Sequence, residues 1–257
     1  MQRSAVILGA TTFVFFILTI VIWLAVLQAS TAGKLTVTFL DVGQGDAVFI
    51  ESPSGVQILI DGGKNRSVIR QLGKEMPFFD RSIDVVIGTH PDADHIGGLP
   101  DVLKRYHVDL ILQSSVSDPE GVDSQAFDAA IDTEMESGAQ RLIAERGQVI
   151  DLGGGARLEI LFPDREVPRL ETNTGSIVAR LVYGDTSFML TGDSPKAIEE
   201  YLVKLDAEGL DSDVLKAGHH GSRTSSSLSF VGFVSPEYAI FSRGCDNSYG
   251  HPHEEPI

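Results

Sequence analysis

His90-Pro91-Asp92-Ala93-Asp94-His95 places two imidazoles and two carboxylates within six residues, directly after the apolar run Ile83 to Thr89. Imidazole nitrogen and carboxylate oxygen together suit a divalent cation such as Zn²⁺ or Mn²⁺, and a loop at the end of a buried strand holds them on a rigid edge. Gly97-Gly98, behind Ile96, lets the chain turn close to whatever is bound. A solvated surface turn would share this composition, but the theme recurs downstream. Thr191-Gly192-Asp193 follows Thr186 to Leu190, His219-His220-Gly221-Ser222 follows Asp213 to Lys216, and Tyr249-Gly250-His251-Pro252-His253 lies near the end of the sequence. In a sheet-based fold, loops at the ends of neighbouring strands converge on one edge, where such folds build sites.

Asp61-Gly62-Gly63, HPDADH, Leu190-Thr191-Gly192-Asp193, Lys216 to Ser222 and YGHPH, in this order, resemble the motifs of the metallo-β-lactamase superfamily. The segment Phe39-Leu40-Asp41-Val42-Gly43-Gln44-Gly45-Asp46-Ala47 is similar to one branch, the hydrolase domain at the C-terminal end of bacterial DNA-uptake channel proteins of the ComEC type. The resemblance runs from about residue 35 to residue 257. It implies an α/β fold, a four-layer αββα sandwich, and hydrolysis assisted by two divalent metal ions, Zn²⁺ or Mn²⁺. Carried over motif by motif, it implies one ion held by His90, Asp92 and Asp193, and a second held by Asp94, His95, His219 and the same Asp193 as a bridge. A carboxylate bridging two cations about 3.5–4 Å apart lets them share a water and lower its pKa.

Asp94, Asp193 and His251 are thereby expected to serve the reaction itself, with His251 as a phosphate contact or proton donor to the leaving group. Asp61 is expected behind a ligand histidine, fixing its tautomer; the alternative is a plain tight turn after a strand. His220 is expected outside the ligand set, because adjacent histidines cannot both ligate without contortion. Lys216 and Ser222 are expected to meet an anionic substrate, the alternative for Lys216 being a solvated strand edge. Asp41 and Asp46 flank a glycine turn and read as loop-shaping or as the rim of the site, and His107 reads as surface or capping chemistry. Two departures from the wider superfamily stand out: Asp92 replaces a common second histidine, and Asn173-Thr174-Gly175-Ser176 occupies a region where many members supply a further one. An oxygen-rich position shifts preference towards Mn²⁺.

Elements must position these groups. Residues 5–27 carry no charge over 23 positions, enough for a helix to cross the roughly 30 Å hydrocarbon layer. They read as a membrane anchor after a short tail (1–4) and before a linker (28–34) and the hydrolase domain (35–257). A secretory signal cleaved near Ser30-Thr31-Ala32 is the competing reading, although its apolar core would exceed the usual length of about 7–15 residues. Arg3 before the span favours a single-pass protein of the bacterial cell membrane with its domain outside the cytoplasm; signal cleavage would give a secreted one. Cys245, the single cysteine, excludes an intrachain disulfide framework.

The chain carries a net charge of −16, and since the first 34 residues hold Arg3, Lys34 and no acid, the remainder stands at −18. No basic stripe marks a passive nucleic-acid binder, yet bound cations would reverse the local potential. Leu35 to Leu40, Ala47 to Glu51 and Val56 to Ile60 read as a three-strand meander. Helices are expected over Ser67 to Glu75, Leu99 to Tyr106 and from about Ser124. Further strands are expected at Val108 to Gln113, Arg141 to Ala144, Val149 to Leu152, Leu158 to Phe162, Ser176 to Tyr183 and Thr186 to Leu190. Ser194-Pro195 then reads as a helix start, with serine as cap and proline at the first position. The family usually continues beyond YGHPH, so the domain is expected to be truncated at its C-terminal end.

The function expected from these readings is a membrane-anchored, metal-dependent phosphodiesterase, with DNA as the substrate implied by the resemblance. A cell-wall phosphodiester of the phosphorylcholine type and a non-catalytic, metal-stabilised binding module are the alternatives, because one scaffold hosts many reactions. The sequence does not point to a protein partner.

Overall fold

The computed structural model describes residues 2–31 and 33–254, with side-chain surroundings for residues 9–23 and 33–254. Helix α1 (Gln2–Thr31) precedes β1 (Thr36–Phe39), β2 (Val48–Glu51) and β3 (Gln57–Ile60), the expected antiparallel meander. Then follow α2 (Ser67–Glu75), β4 (Ser82–Gly88), α3 (Ala93–Ile96), α4 (Leu99–Leu103), β5 (His107–Gln113), α5 (Val122–Glu136) and β6 (Gln140–Ile143). These six strands form one sheet in sequence order. The second sheet contains β7 (Val149–Gly153), β8 (Ala156–Phe162), β9 (Val178–Tyr183), β10 (Thr186–Leu190), β11 (Val214–Lys216) and β12 (Tyr238–Ile240), with α6 (Lys196–Asp206) and α7 (Leu228–Val234) between its later strands.

The central strands of both sheets are apolar on both faces, which is the demand of a four-layer sandwich. Because side chains alternate along a strand, Val48, Ile50, Ile58, Ile60, Val85 and Ile87 point to the second sheet and meet Leu158, Ile160, Ala179, Leu181 and Leu190. Their neighbours Phe49, Leu59, Val86 and Ile111 face outward beneath α2, α4 and α5. On the far side, Val178, Met189 and Leu215 pack under Leu202 of α6 and Phe230 and Val234 of α7. The αββα arrangement expected from the sequence is therefore present.

Strand direction decides where the chemistry gathers. β3, β4, β5 and β6 run parallel, and so do β10, β11 and β12. Their carboxyl ends lead into the loops that carry the motif residues. β1 is antiparallel to β2, and β2 to β3, so α1 enters the sandwich at the end away from those loops. The expected membrane span, residues 5–27, lies partly outside the residues whose side chains are described; among the described residues no helix is long and apolar enough to cross a membrane.

Backbone hydrogen bonds knit three site loops together. Asp46 N donates to Asp94 O, Gly62 N to His95 O, Gly63 N to Asp46 O, and Gly98 N to Gly63 O. Gly98 makes this approach possible, because a Cβ there would lie 2.2 Å from the Gly62 carbonyl oxygen.

Two expectations need correction, and two elements had none. The helix from Leu99 stops at Leu103. α6 begins at Lys196 with Pro195 in the capping position and no side-chain cap; the chain first makes the turn Thr191–Ser194, closed by Ser194 N donating to Thr191 O, and Pro195 stays extended. α7 and β12 had no clear signal, since LSFVGFV lacks a polar face and Tyr-Ala-Ile is too short to show a period.

Gly98→Ala is expected to push the 61–63 and 92–98 loops apart, at a cost of about 1–3 kcal/mol. Urea denaturation of the variant beside the parent measures it; an unchanged midpoint would show that the loop contact yields freely.

Candidate metal centre

Each chemical group stands just past a strand end. His90 follows β4, Asp94 and His95 ride on α3, Asp61 follows β3, Asp193 follows β10, and His219 and His220 follow β11. Asp193 is the meeting point. Its Oδ2 lies 3.2 Å from His95 Nε2, 3.4 Å from His220 Nε2 and 3.7 Å from His219 Nε2. His220 Nε2 also lies 3.2 Å from Asp94 Oδ2, and His90 Nε2 stands 3.7 Å from Asp92 Oδ2. The His90 and His95 rings are 4.0 Å apart.

Four groups, on Asp46, His95, Asp193 and His220, come within 4.8 Å of one another, one potential ligand atom each, and all four residues are buried. Buried polar atoms are almost always hydrogen-bonded. Here Asp46 Oδ1, His90 Nε2, His95 Nε2, Asp193 Oδ1 and His220 Nε2 are buried without a hydrogen-bond partner. Such orphaned atoms, converging from carboxylates and imidazoles, fit a divalent cation.

The supporting contacts fix these side chains. Asp61 Oδ2 lies 2.7 Å from His95 Nδ1 and accepts from Thr89 Oγ1, while its Oδ1 accepts from Thr89 N. With Nδ1 tied to a carboxylate, Nε2 is the atom turned to the centre. Ser176 Oγ lies 3.1 Å from His90 Nδ1 and accepts from Asp193 N, joining β9's approach to both groups. His220 Nδ1 is held 2.9 Å from Ser242 O, and His219 Nδ1 lies 3.1 Å from Thr224 Oγ1.

The structure treats the two adjacent histidines differently from the sequence expectation, which placed His219 among the ligands and His220 outside. His220 is 1% exposed and belongs to the four-group cluster, whereas His219 sits at its margin with a partly exposed side chain. The contortion that seemed prohibitive is present: φ is +47° at His219 and +56° at His220. Left-handed backbone at non-glycine residues costs of order 1–3 kcal/mol each and persists only when its surroundings enforce it. His219 N donating to Gly192 O and Ser222 N donating to His219 O do so here.

Lys216 and Ser222 also differ from expectation. Lys216 is 2% exposed and turns inward. Its ammonium contacts Asp46, donates to Gly192 O at 2.9 Å and lies 3.6 Å from Asp193 Oδ1. Ser222 is buried, its hydroxyl accepting from Thr224 N and Oγ1. Asp46 was read only as a loop or rim residue, yet it is 3% exposed at the centre. The signal was its place in Gly-Gln-Gly-Asp, but the β2-β3-β4 order of the assembled sheet is what brings it beside Asp94. His251 is nearly buried, its backbone clipped by Asn247 in both directions. Its ring is 5.8 Å from His219, and its Nδ1 is buried without a hydrogen-bond partner. His107, 3.1 Å from Glu134, is away from this cluster.

Charge is concentrated strongly. Burial alone would raise the Asp94 carboxyl, but the adjacent His220 imidazole and the charge of His95 bring it down to about 2. Asp46 and Asp193, against the same burial, are held below the usual carboxylate range, by Lys216 and His220 for Asp46 and by His95 and His220 for Asp193. Burial pushes His220 down, yet Asp193 and Asp46 overcome it and lift the imidazole to about 9. His95 is raised well above its ordinary value by Asp193 and Asp61 against burial. His251 is lowered to about 4 by burial, then by His219 and His220.

The sequence matches the Metallo-beta-lactamase superfamily over residues 40–244. It is 31% identical to ComE operon protein 3 of Bacillus subtilis, covering 86% of this chain and 30% of that protein. It is 32% identical to Competence protein ComA of Neisseria gonorrhoeae, covering 88% of this chain and 30% of the relative. The chain thus spans under a third of the length of these relatives. Among solved structures, CmlA, a diiron β-hydroxylase from Streptomyces venezuelae, shares the fold with a TM-score of 0.52 at 14% identity, covering 85% of this chain and 49% of that one.

Two outcomes follow from the geometry. Asp61→Asn is expected to weaken divalent-metal affinity by about 10–100-fold; calorimetric titration with Mn²⁺ or Zn²⁺ reads this directly, and unchanged affinity would detach Asp61 from the centre. In the metal-free protein, His220 has its folded pKa raised to about 9 from an ordinary 6.5. Its stabilising contribution is therefore complete below pH 6.5 and lost as pH rises through 9. Urea midpoints under chelator should fall across that window, and a rising midpoint would contradict the imidazolium–carboxylate arrangement.

Proposed function

The chain belongs to the metallo-β-lactamase superfamily, and on that premise we propose that it is a divalent-metal-dependent phosphodiesterase whose substrate is DNA. The observation that carries the metal requirement is the set of orphaned buried atoms on His90, His95, His220, Asp46 and Asp193. His95, Asp94, His220 and Asp193 would hold one cation, with His219 at its margin. His90 and Asp92, beside Asp193, would hold a second. Bound cations of this kind supply Lewis acidity and lower the pKa of a water, at the place where a phosphoryl centre must be attacked.

The chain's own residues prepare that step. Asp193 aligns three imidazoles on a single carboxylate. Asp61 orients His95, and Lys216 balances the buried charge of Asp46 and Asp193 without facing substrate. His251, with its unpartnered Nδ1, offers a hydrogen bond to a phosphoryl or leaving oxygen. The net charge of −16 would repel a polyanion, so productive contact with DNA depends on cations at the site.

DNA as substrate draws on the names of the curated relatives, which are competence proteins. The uncharged run over residues 5–27 and the continuous helix Gln2–Thr31 support a membrane anchor, and Arg3 before that run favours a domain outside the cytoplasm. β1 starts at the end opposite the site loops, so such an anchor would leave the centre facing away from the bilayer.

Full-length protein with Mn²⁺ or Zn²⁺ is expected to hydrolyse bis(p-nitrophenyl) phosphate and end-labelled single-stranded DNA, with activity lost under chelator. Asp94→Ala should lower turnover by at least roughly 100-fold while circular dichroism and thermal melting stay close to the parent. Parental rates in that variant would sink the assignment, and metal binding without cleavage of any diester would favour a binding module.

A further inference from the structure

Beside the metal centre lies a cavity of about 230 Å³ that shares His90 and Pro91 with it. Its floor is the backbone of β4 at Gly88, where a Cβ would come within 2.9 Å of the Phe127 ring. Phe127, Ile96 and Val116, all buried, make one apolar side. Gln113 also lines the cavity, and its Oε1 is buried without a hydrogen-bond partner.

Three of the lining serines already have partners. Ser114 Oγ donates to Gly175 O, Ser115 Oγ accepts from Val167 N, and Ser117 Oγ donates to Pro168 O. Arg141 is paired with Asp128 at 2.8 Å, so the cavity carries little net charge. What remains is an apolar wall, the unpaired Gln113 acceptor and the Ser124 hydroxyl. Those features suit a neutral, flat group that lays a face on Phe127 and brings an N–H to Gln113. A quaternary ammonium fits poorly, since such cations are recognised by several aromatic faces and this cavity has one.

We propose that this cavity receives the nucleobase next to the scissile phosphate, making nucleotide diesters, rather than choline-type diesters, the substrate class. The inference rests on the phosphodiesterase reading above and adds the group that selects its substrate. Because His90 and Pro91 form the shared wall, a base seated there adjoins the reacting phosphate.

Three diesters releasing the same p-nitrophenolate test it on the full-length, metal-loaded protein: the thymidine 5′-ester, the methyl ester and the choline ester of p-nitrophenyl phosphate. The thymidine ester should exceed the methyl ester in kcat/KM by about tenfold or more, chiefly through KM. Gln113→Leu and Ser124→Phe, one removing the acceptor and one filling the cavity, should bring the ratio towards one and leave methyl-ester hydrolysis unchanged. Equal rates on both esters, a ratio unaffected by either folded variant, or preference for the choline ester would overturn the proposal. If no diester is cleaved, the phosphodiesterase reading fails by itself. Calorimetry with thymidine 5′-monophosphate then decides the cavity: binding weakened by Ser124→Phe upholds it, and no binding to the parent overturns it. Should one variant fail to melt cooperatively, the other supplies the result.

Discussion

A buried network of opposite charges, Lys216 with Asp46 and Asp193 and these carboxylates with His95 and His220, is the constraint on which the site depends. Its members come from both sheets: Asp46, Asp61 and His95 from the first, Lys216, Asp193 and His220 from the second. Removing charges from water costs several kcal/mol per ion unless partners are placed well. The two sheets must therefore meet in the alignment that pairs these groups. The apolar layer between them, with Ile50, Ile58, Leu158 and Leu181 fully buried, provides the driving force for contact but little specificity of alignment, because hydrophobic burial is non-directional.

Local backbone makes the same point on a smaller scale. Two consecutive left-handed histidines are unfavourable, yet they bring both imidazoles towards one carboxylate. The hydrogen bonds joining residues 46, 62, 63, 94, 95 and 98 tie the first sheet's loops into a single support. A shift in one loop is thus passed to His95 and Asp94 together. This rigidity suits a centre whose ligands must stand ready before a cation arrives.

Membership of a superfamily with many chemistries leaves the substrate to the surroundings of the centre. With a net charge of −16 and a cavity lined by Phe127 and Gln113, the site would, on the proposed reading, recognise a small portion of its ligand.

Much was legible in the sequence because it is periodic or local. The ordered family motifs implied the layers, α2 and β10 appeared with their observed bounds, and HPDADH announced a metal-like cluster within one short loop. The choice between His219 and His220 was not legible, since it turns on two φ angles set by contacts to Gly192 and Ser222. Asp46 and Lys216 were undervalued for a related reason. Each is an ordinary turn or strand-end residue until the packing of the two sheets places an ammonium from one against a carboxylate from the other. Sequence determined which groups were available and on which strand ends, because hydrophobic patterning acts over neighbouring residues. Tertiary structure alone decided which of them share buried space, because electrostatic pairing acts between residues about 170 positions apart.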